Sequence, residues 1–139
     1  RVVYFCNQTE SLFYHYGFPD LGGVLANAVQ WTLDESPVVE IDAPDFVDVT
    51  LMVQPRRKLV HLVNFPLDKP LNTGWRHIGR NVVPVSNIAV KLSLADAERV
   101  REVRLATSEQ VLPVQVASGR AEVVVPHLID HEIVIFELA

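Results

Sequence analysis

Few side chains in this sequence have the types and spacing that chemistry requires. Cys6 directly follows the apolar run Val2-Val3-Tyr4-Phe5, where a strand-end nucleophile would sit. A nucleophile elbow needs small flanking residues for its sharp strand-to-helix turn, and here the neighbours are Phe5 and Asn7. With no base nominated beside it, Cys6 reads as a structural or incidental cysteine. His127 and His131, with Asp130 and Glu132 between and beyond them, have a spacing that would align two ligands on a helix. They lie instead between Pro126 and a strand, where that spacing does not converge, and zinc would need further ligands that the sequence does not nominate. The reading is no metal and no cofactor. His61 alternates into an apolar face as a hydrogen-bonded core histidine, and His15 reads as packing among aromatics. Asp42, Asp45 and Asp48 surround the start of a strand, where turns and solvent explain them without an acid/base pair. The remaining candidate is Trp75-Arg76-His77 on a long loop. The indole offers a flat face to a sugar ring and the guanidinium can bond hydroxyls, which would make a carbohydrate contact. The alternative is that Trp75 plugs the end of the fold or an interface.

The elements that would hold these residues are mostly strands. From Phe46 to Phe65 the sequence alternates twice, Val47, Val49, Leu51 and Val53 first, then Leu59, His61, Val63 and Phe65 opposite Val60, Leu62 and Asn64. The intervening Gln54-Pro55-Arg56-Arg57-Lys58 is a turn signal, so the pair predicts an antiparallel hairpin whose second strand, apolar on both faces, lies centrally. Pro37 begins the period-2 region, with a short strand over Val38–Ile41, a half-buried strand through Ile88, Val90, Leu92 and Leu94, and a closing strand over Ile133–Leu138. Ser118-Gly119 fits a tight two-residue hairpin turn. Ala95–Arg104 is read as an edge strand carrying Arg99, Arg101 and Arg104 as edge charges. Residues 66–81 form a long loop of the kind that is often functional. The spacing predicts an antiparallel β-sandwich of about seven or eight strands over residues 37–139.

Residues 1–36 have a different pattern. Residues 2–6 read as a strand, Asn7–Phe18 as a polar loop turning aromatic, and Pro19-Asp20 as a helix start. The apolar positions Leu21, Val24, Leu25, Ala28, Val29 and Leu33 make one helical stripe, ended by Pro37. Left bare, that stripe would expose about 400 Å² of apolar surface, about 10 kcal/mol of unfavourable hydration. The helix over residues 21–33 is therefore expected to pack on missing upstream domains of the same protein or on a second copy of the chain. With an apolar run from its first residue, the sequence reads as beginning partway through a larger fold.

Composition bounds the function classes. The net charge of −5 is mild, and the densest basic cluster, Arg56-Arg57-Lys58, reads as a solvated hairpin tip, which argues against a nucleic-acid surface. No apolar run approaches the ~20 residues that cross a bilayer as a helix. The single cysteine excludes an internal disulfide and leaves the compartment open.

The order of pieces resembles the C-terminal end of a β-galactosidase-type glycoside hydrolase. The resemblance rests on VVYFCNQTESLFYHYGFPDLGGVLANAVQW for the end of an α/β domain. It rests on KLVHLVNF, VVPVSNIAVKL and VVVPHLIDHEIVIFEL for the sandwich. It departs at Cys6, where a proline or small residue is usual, and in the 66–81 loop. What it implies is residues 1–36 as the remnant of a trimerisation-like, amidotransferase-like α/β domain and residues 37–139 as a C-terminal sandwich. The catalytic carboxylates would belong to a barrel absent from this sequence. The implied role is a non-catalytic scaffold and oligomerisation segment; a carbohydrate-binding module using Trp75, Arg76 and His77 is the alternative.

Overall fold

The structure, a computed structural model, describes residues 1–33, 35–65, 67–68, 77–78 and 82–139. It divides into two compact units, Arg1–Pro37 and Val38–Ala139.

The first unit holds helices α1 (Thr9–Tyr16) and α2 (Pro19–Leu33). Residues 1–5 form no strand, which corrects the sequence expectation. A strand needs a partner for its backbone groups, and no described strand pairs with this segment. Instead Arg1 lies 5.4 Å above the Trp31 ring. The expected loop at Asn7–Phe18 contains α1, whose aromatic side chains do not make a single stripe and so hid its period. Ser11 and His15 meet one turn apart, the backbone carbonyl of Ser11 lying 2.8 Å from His15 Nδ1. The two helices approach closely at Gly22, where an added Cβ would stand 2.7 Å from the Phe13 ring. On α2 the stripe is only partly covered: Leu21, Leu25 and Ala28 are half-buried, while Val24, Val29 and Leu33 stay exposed.

The second unit is the sandwich. In chain order its strands are β1 (Val39–Asp42), β2 (Val47–Gln54), β3 (Arg57–Asn64), β4 (Leu67–Asp68), β5 (His77–Ile78), β6 (Val85–Ser93), β7 (Val100–Leu105), β8 (Val111–Leu112), β9 (Gln115–Ala117), β10 (Arg120–Leu128) and β11 (His131–Leu138). A four-stranded sheet runs β1-β6-β10-β9 and a five-stranded sheet β2-β3-β11-β7-β8, every pairing antiparallel. Mainly β with two packed antiparallel sheets is the architecture read from the sequence. The additional strands are short ones, such as β8 and β9, whose two or three residues leave no readable alternation. Within residues 66–81 the backbone of β4 pairs with β5, so this segment is not wholly irregular.

Alternation selects the inner faces. Val60 and Leu62 of β3, with Val134 and Phe136 of β11, face Ile88, Val90 and Leu92 of β6 and Val123 and Val125 of β10 in one core cluster. β3 is central, between β2 and β11, because both of its faces are covered: outward-facing Leu59 is buried and His61 and Val63 are half-buried. The outer face of the four-stranded sheet carries alternating charge instead. Glu40 and Glu122 flank Lys91 in register, and Arg120 reaches Glu40 at 2.7 Å.

Turns fix the registers. Pro55 and Arg56 alone connect β2 to β3, with Arg56 at φ 61° in the left-handed region, the signs of a type II turn. Ser118 and Gly119, at φ 51° and 74°, form the two-residue turn into β10, and their double left-handed geometry suits the twist of a hairpin. Pro126 stands where the β6–β10 ladder skips a pair, opposite Asn87 at φ 59°, so its missing N–H costs no ladder bond. β7 is not the edge strand expected from its arginines; β8 pairs outside it at Val103 and Arg104.

Phe136 has no exposed surface and is among the largest fully buried side chains. Phe136→Ala is expected to destabilise the sandwich by about 3–5 kcal/mol, most of a small domain's margin. Denaturant unfolding of the variant checks this.

Candidate functional site

The candidate residues are dispersed by the fold. Trp75 and Arg76 lie outside the described residues, and of His77 only its backbone pairing with Asp68 is described. Cys6 is exposed, with no strand before it and α1 starting at Thr9, so no elbow forms. Asp42, Asp45 and Asp48 are exposed, and Asp42 and Asp48 stand on strands of different sheets. His127 ends up on β10 and His131 on β11, which belong to opposite sheets, and they take different partners. His127 Nδ1 is 3.3 Å from Ser86 Oγ, and His131 Nε2 is 3.3 Å from His61 Nδ1. His61 is therefore hydrogen-bonded, but on the outer face, stacked on His131 at 5.5 Å between ring centroids. Among the described residues no three His, Cys, Asp or Glu side chains gather closely enough to hold a metal ion.

The polar groups that do converge lie at the ends of the core. At one end Lys58, buried on the inner face of β3, reaches across to the β6–β7 connection. Its Nζ donates to Glu98 Oε2 at 2.6 Å and to the Ser93 carbonyl at 3.4 Å. The same carboxylate oxygen accepts from the Ala95 amide at 2.8 Å. The Lys58 hydrogen bond, and then the amide, hold the Glu98 carboxyl below its usual range. At the other end Asn64 donates to the carbonyls of Ile129 at 2.6 Å and Val83 at 2.9 Å. Nearby in the register, buried Glu132 accepts from the amides of Thr107 at 2.9 Å and Ile133 at 2.8 Å.

Glu98 also borders a cleft of about 390 Å³ together with Leu94, Asp96, Arg99, Val100 and Val116. Its carboxylate is ionised and committed to Lys58, so it is poorly suited to donate a proton to a leaving group. Arg99 donates to the backbone carbonyls of Asp96 and Glu98 at 2.9 and 2.8 Å, which braces the wall of the cleft. Among the described residues no aromatic side chain lines it. Sequence reasoning missed the Lys58–Glu98 pair because charges are ordinarily solvated. The available signal was parity: Lys58 shares a face with Val60 and Leu62.

No protein-family model matches the chain, and none of the curated proteins matches it. Solved structures do. α-L-fucosidase isoenzyme 2 from Paenibacillus thiaminolyticus matches with a TM-score of 0.77 at 23% identity, over 91% of this chain and 19% of that protein. The coverage exceeds what the sandwich alone supplies, so it takes in part of the first unit. A cycloisomaltooligosaccharide glucanotransferase from a Paenibacillus species, solved with cycloisomaltoheptaose, matches with a TM-score of 0.54 at 19% identity, over 71% of this chain and 16% of that protein. At such identities the likeness establishes a shared fold. The chain spans about a fifth or less of the length of either protein.

The Glu98 carboxyl sets a pH dependence. Its folded pKa lies below the unfolded value of 4.5, so its contribution is present above about pH 4.5 and is lost as pH falls through the folded pKa. Glu98→Gln is expected to cost about 2 kcal/mol at neutral pH, since it leaves the Lys58 ammonium without its counter-charge. Thermal midpoints of the two proteins converge as pH drops below that value; a gap independent of pH would refute the assignment.

Proposed function

We propose that this chain is a non-catalytic C-terminal segment of an enzyme acting on glycosidic bonds, in which the sandwich is a scaffold and residues 1–37 dock on an upstream domain. The observation that carries the proposal is the contrast between the units. The sandwich buries a continuous core. In α2 no residue is buried, and Tyr4, Tyr16, Phe18, Val29, Trp31 and Leu33 are all more than half exposed. Apolar and aromatic area of this density marks an interaction surface. The fold match supports the class of parent, since both matched proteins are carbohydrate-active by name and each contains such a segment as a small fraction of its length. In the finer version implied by the sequence resemblance, the parent is β-galactosidase-like and residues 1–36 end a trimerisation-like domain. A second copy of the chain is the other partner that the α2 surface would fit.

Val29 and Leu33 are 57% and 56% exposed on α2. In the full-length enzyme, Val29→Asp with Leu33→Asp is expected to remove about 2–4 kcal/mol of docking, while the same pair changes the isolated chain little. A full-length variant with an unchanged thermal midpoint overturns the docking. Hydrolysis of a chromophoric glycoside by the purified chain alone overturns the scaffold reading.

A further inference from the structure

We propose that Arg56, Arg57 and Arg101 form a subsite for the carboxylate or sulfate group of an acidic saccharide. The three residues border one open pocket of about 240 Å³ at the β2–β3 turn, lined also by Pro55, Glu137 and Leu138. This is too small for an oligosaccharide and suits one anionic group with part of a ring.

Arg56 and Arg101 reach the cavity through backbone irregularities. Arg56 occupies the left-handed position of its turn, at φ 61°, where glycine or asparagine is the relaxed choice. A long side chain retained there at a conformational cost is an outlier of the kind that accompanies function. Arg101 sits at a β-bulge. Glu137 pairs with Glu102 and Leu138 with Val100, so Arg101 between them has no partner across the ladder. Bulges re-aim side chains at sheet margins, and this one contributes Arg101 to the wall that the hairpin tip begins. Arg57 opens β3 opposite Glu137.

Among the described residues the positive charge at the cavity exceeds the negative, three arginines against Glu137. None of the three guanidiniums lies within 4.0 Å of a described carboxylate. Glu137, the acid in the wall, is 3.7 Å from Arg104 instead. A net charge of −5 for the whole chain makes this convergence of cations a local exception. Neighbouring like charges repel, and an oxyanion placed among them removes the repulsion and accepts forked, charge-assisted hydrogen bonds. The anion half of the proposal stands on this geometry. The saccharide half rests on the reading of the chain as part of a carbohydrate-active enzyme.

Calorimetric titration of the whole chain at low ionic strength tests both, with a galacturonic acid trimer, sodium sulfate and a neutral galactose trimer as probes. The acidic trimer is expected to bind most tightly, and added salt to weaken it. Arg101→Ala weakens it by about tenfold, the worth of one charge-assisted hydrogen bond. Arg56→Gly weakens it similarly without lowering the thermal midpoint, because glycine relaxes the turn, and this separates lost binding from lost folding. Sulfate binding as tightly as the acidic trimer keeps the anion site and overturns the saccharide. Acidic and neutral trimers binding equally, undisturbed by either variant, overturns the subsite and leaves the carbohydrate reading intact. Absence of binding by both anions overturns the subsite outright.

Discussion

One constraint governs the sandwich: two sheets must bury a single apolar layer while their strands still enter and leave it through polar ends. The inward faces of β3 and β11 show the solution in sequence. Along β3 they read Lys58, Val60, Leu62, Asn64, and along β11 Glu132, Val134, Phe136. Apolar residues occupy the middle of the layer and buried polar residues mark its margins. Each marginal group reaches a partner on another segment: Lys58 bonds Glu98, Asn64 donates its amide to the carbonyls of Ile129 and Val83 while its Oδ1 has no partner among the described residues, and Glu132 accepts from the amide of Thr107 as well as from that of its neighbour Ile133. Unpaired, such groups would each oppose folding; paired, they staple connections to the core and set where the layer ends.

The same arrangement explains how the buried polar groups relate to function. Lys58, Glu98, Asn64 and Glu132 would look like a reactive inventory in isolation. Their partners commit them to the fold, and they stand at opposite ends of strands, too far dispersed for joint acid/base work. Among the described residues, the groups with unspent capacity are on the outside: the guanidiniums around the hairpin tip and the apolar face of α2. Both suit recognition.

Much of the architecture was legible because period 2 is unforgiving: a slip of one residue in β3 would turn Val60 and Leu62 outward. The Ser118-Gly119 turn and the extent of α2 were legible for similar local reasons. What could not be read depended on tertiary partners. Residues 1–5 have the composition of a strand, yet a strand exists only with a neighbour. α1 is short and its aromatics do not share a stripe; in the fold it packs closely on α2, with Phe13 beside Gly22. Arg99, Arg101 and Arg104 looked like edge charges, whereas Arg99 braces the connection before β7, and the register with β11 puts Arg104 in an ion pair and Arg101 at a bulge. Trp75, Arg76 and His77 remain a candidate defined by residue type alone.

The two units are proposed to differ in kind, the sandwich stable by its own core and residues 1–37 shaped for a partner. Native-state hydrogen exchange on the isolated chain tests this most directly. The account predicts that amides of β3, β6, β10 and β11 open together, only on global unfolding, while those of α1 and α2 exchange through local opening at far lower cost. Protection of α2 equal to that of β11 in the monomeric chain would contradict it.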